Sequence, residues 1–368
     1  MPGLTKRKYV GETMRYNKTI KRPLYLIAEI LPQDYDGKIL LEYFKRYYPM
    51  EWENLVQMQN SYLEKDKFLV SVGKKARYNP MSPETYFFSL PAIKNILRNS
   101  TKENYRNTFN KEEHILKLKA FENKRKLAID KRNAKIANNT ELIQNLDPHY
   151  VDYYIAAYHK KGISIEDKVE IVKDLSKYSS KKIDIFFYKL NDSEHNDQIR
   201  KMAFDYLQHT GKYVKLRKNF KGKKKHYMTE TTNFNMTPED LFNKISSSRN
   251  IQIKKSFDLF ISHSFSDQTQ IISLFKFLNK KGMVCYCDWT SDNDFLKRNM
   301  AGKYTEEVLK KRIVQSKYVL YVNSKNAAQS QWVNFELEYA RSIEKEIKEI
   351  DIDNITPELI STEILKVL

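Results

Sequence analysis

The chain has 368 residues, 41% hydrophobic and 30% charged, which is apolar enough for real cores and too long for one ordinary domain. Its formal charge of +19 is unevenly placed: residues 251–368 hold 17 Lys/Arg against 16 Asp/Glu, leaving 48 against 30 in residues 1–250. The front therefore carries charge suited to nucleic acid or an acidic protein face, or serving only solubility. No apolar run reaches membrane-spanning length and no signal core follows Met1, so a cytoplasmic protein with no membrane partner is expected.

In chain order, residues 1–22 read as a basic arm. Residues 23–110 read as a mixed, mainly helical region, with breaks at Pro32, Pro49, Pro80, Pro83 and Pro91. A second helical region spans 111–227. It opens on a Lys/Glu/Ala/Leu-rich helix over 111–146 without Gly or Pro. A helix opened by Ser164 follows, then helices over 181–190 and 195–210, with Gly211 at a C-cap position. The segment 212–225 holds eight Lys/Arg. Three helices and a basic hairpin-like segment fit a winged helix meeting phosphates, and equally a helical unit with a solvated loop. Residues 228–255, rich in Thr, Asn and Ser, read as a linker.

The last part, 256–368, alternates strand and helix. Phe257–Ile261 is a strand, Asp267 caps a helix with apolar face Ile271, Leu274, Phe275 and Leu278, and Gly282 ends it. Met283–Cys287 is a second strand, bearing the only two cysteines, Cys285 and Cys287, two apart on one face. Their spacing fits neither a zinc motif nor a disulfide framework, so buried thiols and no metal are expected. A loop, Asp288–Gly302, leads to a helix over 303–315. Tyr318–Val322 is a third strand, and Ser330 caps a helix running to about Lys345. Continuous apolar strands alternating with helices predict a parallel α/β sheet, whose ligands bind beyond the strands' carboxyl ends. That rim holds Ser262-His263-Ser264, the Asp288–Gly302 loop and the Ser324–Ser330 loop. On the last helix Val333, Leu337 and Ala340 should face the sheet, Trp332 and Glu336 lie on the adjoining flank, and Glu338 points to solvent. Asp288, Asp292 and Asp294 lack calcium-loop spacing and read as solvated turn residues. No phosphate-loop glycine motif occurs.

Phe257-Asp-Leu-Phe-Ile-Ser-His-Ser resembles the first box of Toll/interleukin-1 receptor (TIR) domains, and Asp288-Trp289 resembles the second. Trp332-x-x-x-Glu336, inside Ser-Gln-Trp-Val-Asn-Phe-Glu-Leu, is similar to bacterial TIR domains that cleave NAD. The resemblance covers roughly residues 254–350. It implies a flavodoxin-like fold with Glu336 as catalytic carboxylate in an NAD+ nucleosidase or ADP-ribosyl cyclase, commonly serving antiphage defence. The chain after the last helix is short for such a domain, so a sheet of about four strands is expected. Nicotinamide leaves NAD+ as a neutral molecule, so one carboxylate that stabilises the oxocarbenium-like transition state suffices and no general acid is needed. Ser262, His263, Trp289 and Trp332 are candidate substrate-binding residues. His263 suits a hydrogen-bonding rim role better than a general base, and Trp332 suits either a base platform or a core position. NAD+ is then substrate, no cofactor is needed, and a homo-oligomer formed through the TIR-like part is expected. Two other readings stand beside this: a non-catalytic adaptor acting by homotypic assembly, and a nucleic-acid or protein trigger sensed by the basic front.

Overall fold

The computed structural model describes residues 4–212, 214, 216, 225–232, 237–247, 250–293, 295–296 and 302–355. The chain divides into two compact units, Met1–Lys135 and Ile136–Leu368. Most of the basic segment 212–225, and residues 356–368, lie outside the described residues.

The first unit is helical: α1 (Leu4–Ala28), α2 (Gly37–Tyr47), α3 (Pro49–Ser71), α4 (Pro83–Ser89), α5 (Pro91–Ile96), α6 (Asn99–Thr108) and most of α7 (Lys111–Thr140). Its start is not a loose arm. Tyr16, Ile20, Leu24 and Ile27 recur at helical spacing among the basic residues, and all four are buried. They join Leu40, Phe44, Leu55, Phe87 and Ile93 in one core.

The second unit begins with α8 (Val151–Tyr158), α9 (Ile165–Leu175), α10 (Lys181–Ser193), α11 (Asp197–His209), α12 (His226–Thr229) and α13 (Pro238–Ser246). Ser164 accepts from Asp167 N at the start of α9, and Gly211 takes φ +80° after α11, the left-handed backbone that glycine tolerates. The stretch read as a linker contains α13, closed by a reciprocal Thr237–Asp240 capping box.

The α/β part comprises β1 (Phe257–Ser262), α14 (Gln268–Lys280), β2 (Cys285–Tyr286), α15 (Asp288–Ser291), α16 (Lys303–Gln315), β3 (Ser316–Asn323), α17 (Lys325–Ala328), α18 (Gln331–Ser342) and β4 (Ile347–Asp351). All four strands are parallel, in the order β2-β1-β3-β4. Leu259 and Ile261 pack with the α14 residues Ile271, Leu274 and Leu278 and with both cysteines. Phe260 and Tyr286 belong to another cluster, with Val333 and Leu337 of α18, Ile313 of α16, and α8–α11 residues such as Val172, Phe187 and Leu207. Helices α8–α11 thus share a continuous core with the sheet. The Gln144 side chain donates to Cys285 O at 3.5 Å, which occupies a backbone acceptor of the short strand β2.

Candidate active site

Strand order reverses direction at β1, so the crevice beyond its carboxyl end is the topological switch point of the sheet. Ser262 ends β1, and alternation turns its side chain to the face covered by α18. Its hydroxyl donates to Glu336 Oε2 at 2.6 Å. Ser330 starts α18 by accepting from Val333 N, which phases the helix so that Val333, Glu336, Leu337 and Ala340 are buried and Glu338 is exposed. Glu336 keeps only 7% of its surface. Burial raises its pKa to about 8; the Ser262 hydrogen bond lowers it in part, and the charge of Asp288 raises it further.

Next to Ser262 on β1, His263 turns to the other side of the rim. The Trp289 indole Nε1–H donates to His263 Nε2 at 2.6 Å, while Nδ1 lies 3.1 Å from Ile261 O. With Nε2 accepting, the ring proton belongs on Nδ1, donated to that carbonyl. Cys287 Sγ sits 3.7 Å from the same Nε2 and 4.0 Å from Asp288 Oδ1. The structure therefore joins Ser262 to Glu336 and His263 to Trp289. Trp332 stands apart from these pairs: it is 38% exposed and meets Phe335 edge-on.

Asp267 does not cap α14 with its side chain. It lies in a short turn before the helix and is buried, accepting from Ser324 Oγ at 2.5 Å and Asn326 Nδ2 at 2.6 Å. The turns after β1 and β3 are tied together in this way.

Asp292, read as a solvated turn residue, is fully buried. Arg312 on α16 clamps it through Nε at 2.7 Å and Nη2 at 3.1 Å. Burial alone would raise the Asp292 pKa, but Arg312, with Lys255 and Lys177, more than offsets that and holds it at about 2. Arg312 Nη2 also donates to Gln252 Oε1 at 2.8 Å, and Gln252 Nε2 donates to Glu170 and Asp174 of α9. Lys255 Nζ pairs with Asp174 at 2.9 Å, and Lys177 Nζ donates to Ser291 O at 2.5 Å. The segment that positions Asp288 and Trp289 is thus anchored to the helical part by buried charges. Nothing in the local pattern around Asp292 reveals this, because its partners Arg312 and Lys255 lie 20 and 37 residues away in sequence.

Comparison with known proteins bears on the same region. The TIR domain family model matches residues 259–364. A protein of Cytobacillus dafuensis with the provisional name cyclic ADP-D-ribose synthase TIR2 is 52% identical over 345 residues, 94% of this chain and 91% of its own length. A Bacillus cereus (strain MSX-D12) protein, provisionally named 3′ cyclic ADP-D-ribose synthase ThsB′, is 31% identical over 99 residues. That match covers 27% of this chain and 51% of the Bacillus protein. No solved structure matches significantly. With nearly the whole length shared with the Cytobacillus protein, helical part included, the chain belongs to the family of TIR-domain proteins.

Proposed function

We propose that the chain cleaves the nicotinamide–ribose bond of NAD+ and closes the ADP-ribose into a cyclic product, with Glu336 as the carboxylate that does the work. The observation carrying this is a buried carboxyl at the switch point of a TIR sheet, bonded to Ser262, in a chain 52% identical to a protein named as a cyclic ADP-D-ribose synthase.

The bond electrons pass to the ring nitrogen as the C1′–N bond breaks, so nicotinamide departs neutral and positive charge collects on the ribose. A buried carboxylate acts strongly on that charge because little water screens it. In the free protein a pKa near 8 leaves Glu336 largely protonated at neutral pH. The cationic nicotinamide riboside beside it favours the carboxylate, so binding substrate releases the proton. Attack on C1′ by a nucleophile within the ADP-ribose gives the cyclic product and one proton; attack by water gives linear ADP-ribose and one proton. His263 and Trp289 line the rim as binding residues, and Trp332 offers an exposed aromatic face for a base.

A role in defence against phage, cytoplasmic location and activation by self-assembly rest on the resemblance to bacterial TIR domains. Plaque counts on cells expressing wild-type protein or Glu336→Gln test the defence role: protection lost with the carboxylate supports it, and equal protection rejects it. Among the described residues no helix is long and apolar enough to cross a membrane.

A further inference from the structure

His263 Nε2, Cys287 Sγ and an Asp288 carboxylate oxygen all lie within 4.8 Å of one another. We infer that these three side chains form an inhibitory site for a zinc-class divalent cation at the mouth of the active site.

The spacing is close to what such an ion needs. Zinc–nitrogen and zinc–sulfur bonds of about 2.0 and 2.3 Å at a tetrahedral angle put the two ligand atoms roughly 3.5 Å apart. The separation of Nε2 and Sγ is 3.7 Å, and that of Sγ and Asp288 Oδ1 is 4.0 Å. These two separations stand within a few tenths of an ångström of the tetrahedral value, and Nε2 lies within 4.8 Å of the Asp288 oxygen. The donors stand on firm supports. Cys287 directly follows β2, whose parallel register against β1 pairs Cys285 with Leu259, and His263 directly follows β1. His263 Nδ1 is turned to Ile261 O at 3.1 Å, the second contact that ordinarily orients a ligating imidazole and leaves Nε2 for the metal. One sulfur, one nitrogen and one carboxylate oxygen suit zinc and its softer neighbours. Calcium and magnesium require mostly oxygen ligands. Three protein ligands leave the fourth tetrahedral position for water.

The Nε2 lone pair that would bind the ion now accepts the Trp289 N–H. A cation and that hydrogen bond exclude one another, so occupancy releases the Trp289 indole from the rim. It also ties Asp288 to Cys287 and His263, restricting the segment beside Glu336. Cation binding needs only the three ligands; its inhibitory consequence rests on the NAD-cleaving function proposed above.

The test is titration of the full chain, stripped with chelator, with zinc chloride in a calorimeter, and with cadmium chloride under ultraviolet absorption. One zinc per chain is expected, with a thiolate-to-cadmium charge-transfer band. Cys287→Ala should weaken zinc binding at least about tenfold and abolish the band, while Cys285→Ala keeps both. Asp288→Asn, which leaves the sheet core intact, should also weaken zinc. Indole emission should change on zinc addition in the wild type and not in Trp289→Phe. Zinc binding unchanged in Cys287→Ala and Asp288→Asn, absence of the cadmium band, or equal competition by magnesium overturns the inference. In a protein that releases nicotinamide, zinc should inhibit the wild type and Cys285→Ala alike. Zinc bound through Cys287 without loss of activity overturns the inhibitory role. Zinc bound through Cys287 in a protein with no NAD cleavage under any condition leaves the site standing and rejects the NAD-cleaving function instead.

Discussion

The Ser262 hydroxyl donates to Glu336 Oε2 at 2.6 Å, joining residues 74 positions apart in sequence. This bond and the charge of Asp288 act on the carboxyl in opposite directions, because the first favours its ionised form and the second opposes it. Ser262→Ala should therefore move the rising limb of the pH–rate profile to higher pH, and Asp288→Asn to lower pH. A hydrogen bond to a charged group contributes about 1.5–3 kcal/mol, so nicotinamide release by Ser262→Ala at pH 7 should fall roughly 10- to 100-fold. Profiles of the two variants shifting the same way would contradict this account of the carboxyl.

Stability offers an independent view of the same group. Glu336 has its folded pKa raised to about 8 by burial, with Asp288 adding to it. Between the ordinary glutamate value and 8 the folded chain keeps a proton that the unfolded chain releases, so the contribution is present in acid and lost as pH climbs through 8. Glu336→Gln removes this dependence. Its stability relative to wild type should rise steadily from pH 5 to about pH 8, by an amount on the order of a few kcal/mol, and level off above. Thermal melts at matched ionic strength measure it, and a constant difference across the range would exclude the raised pKa.

The Asp292–Arg312 pair has no solvent to fall back on, since both side chains are fully buried. Arg312→Leu leaves Asp292 buried beside Lys255 at 3.8 Å without its bidentate partner, and should destabilise the second unit by about 3–5 kcal/mol. Replacing both residues with leucine should recover part of that loss. Urea denaturation of Arg312→Leu and of the double variant provides the comparison, and a double variant no more stable than Arg312→Leu would refute the pairing argument.

Trp332 supplies a contrast, because its indole is part-exposed and packs on Phe335 alone among the aromatic rings of the described residues. Trp332→Ala should change stability by under about 1 kcal/mol. As a platform for a base, the ring contributes to binding, so the substitution should raise KM several-fold with kcat little changed. A KM equal to wild type would remove Trp332 from the binding site.

Much of the α/β part was legible in the sequence because its signals are local. Continuous apolar strands, Gly282, the Ser330 cap and the phase of Val333, Leu337 and Ala340 each depend on a few neighbouring residues, and together they place Glu336 beside the end of β1. The helix at the start of the chain was equally periodic, yet the basic residues between Tyr16, Ile20, Leu24 and Ile27 disguised it. Asp267 reads as a cap because acidic residues commonly serve so; its true partners, Ser324 and Asn326, come from beyond β3. Asp292 and Gln252 were beyond reach for a similar reason. Their burial is decided by charges on α9 and α16, and a polar residue carries no local mark of a distant partner. The His263–Cys287–Asp288 cluster has the same origin: its members adjoin two different strands, and only the register between β1 and β2 brings them together.

The central claim is that the Glu336 carboxylate cleaves NAD+. The most direct measurement is nicotinamide release, with chromatographic identification of the ADP-ribose product, from full-length wild type and Glu336→Gln under conditions where both are shown to be assembled. Wild type should release nicotinamide and form a cyclic ADP-ribose, and Glu336→Gln should be slower by at least about 10²-fold. An assembled wild type that releases nicotinamide no faster than Glu336→Gln would contradict the account.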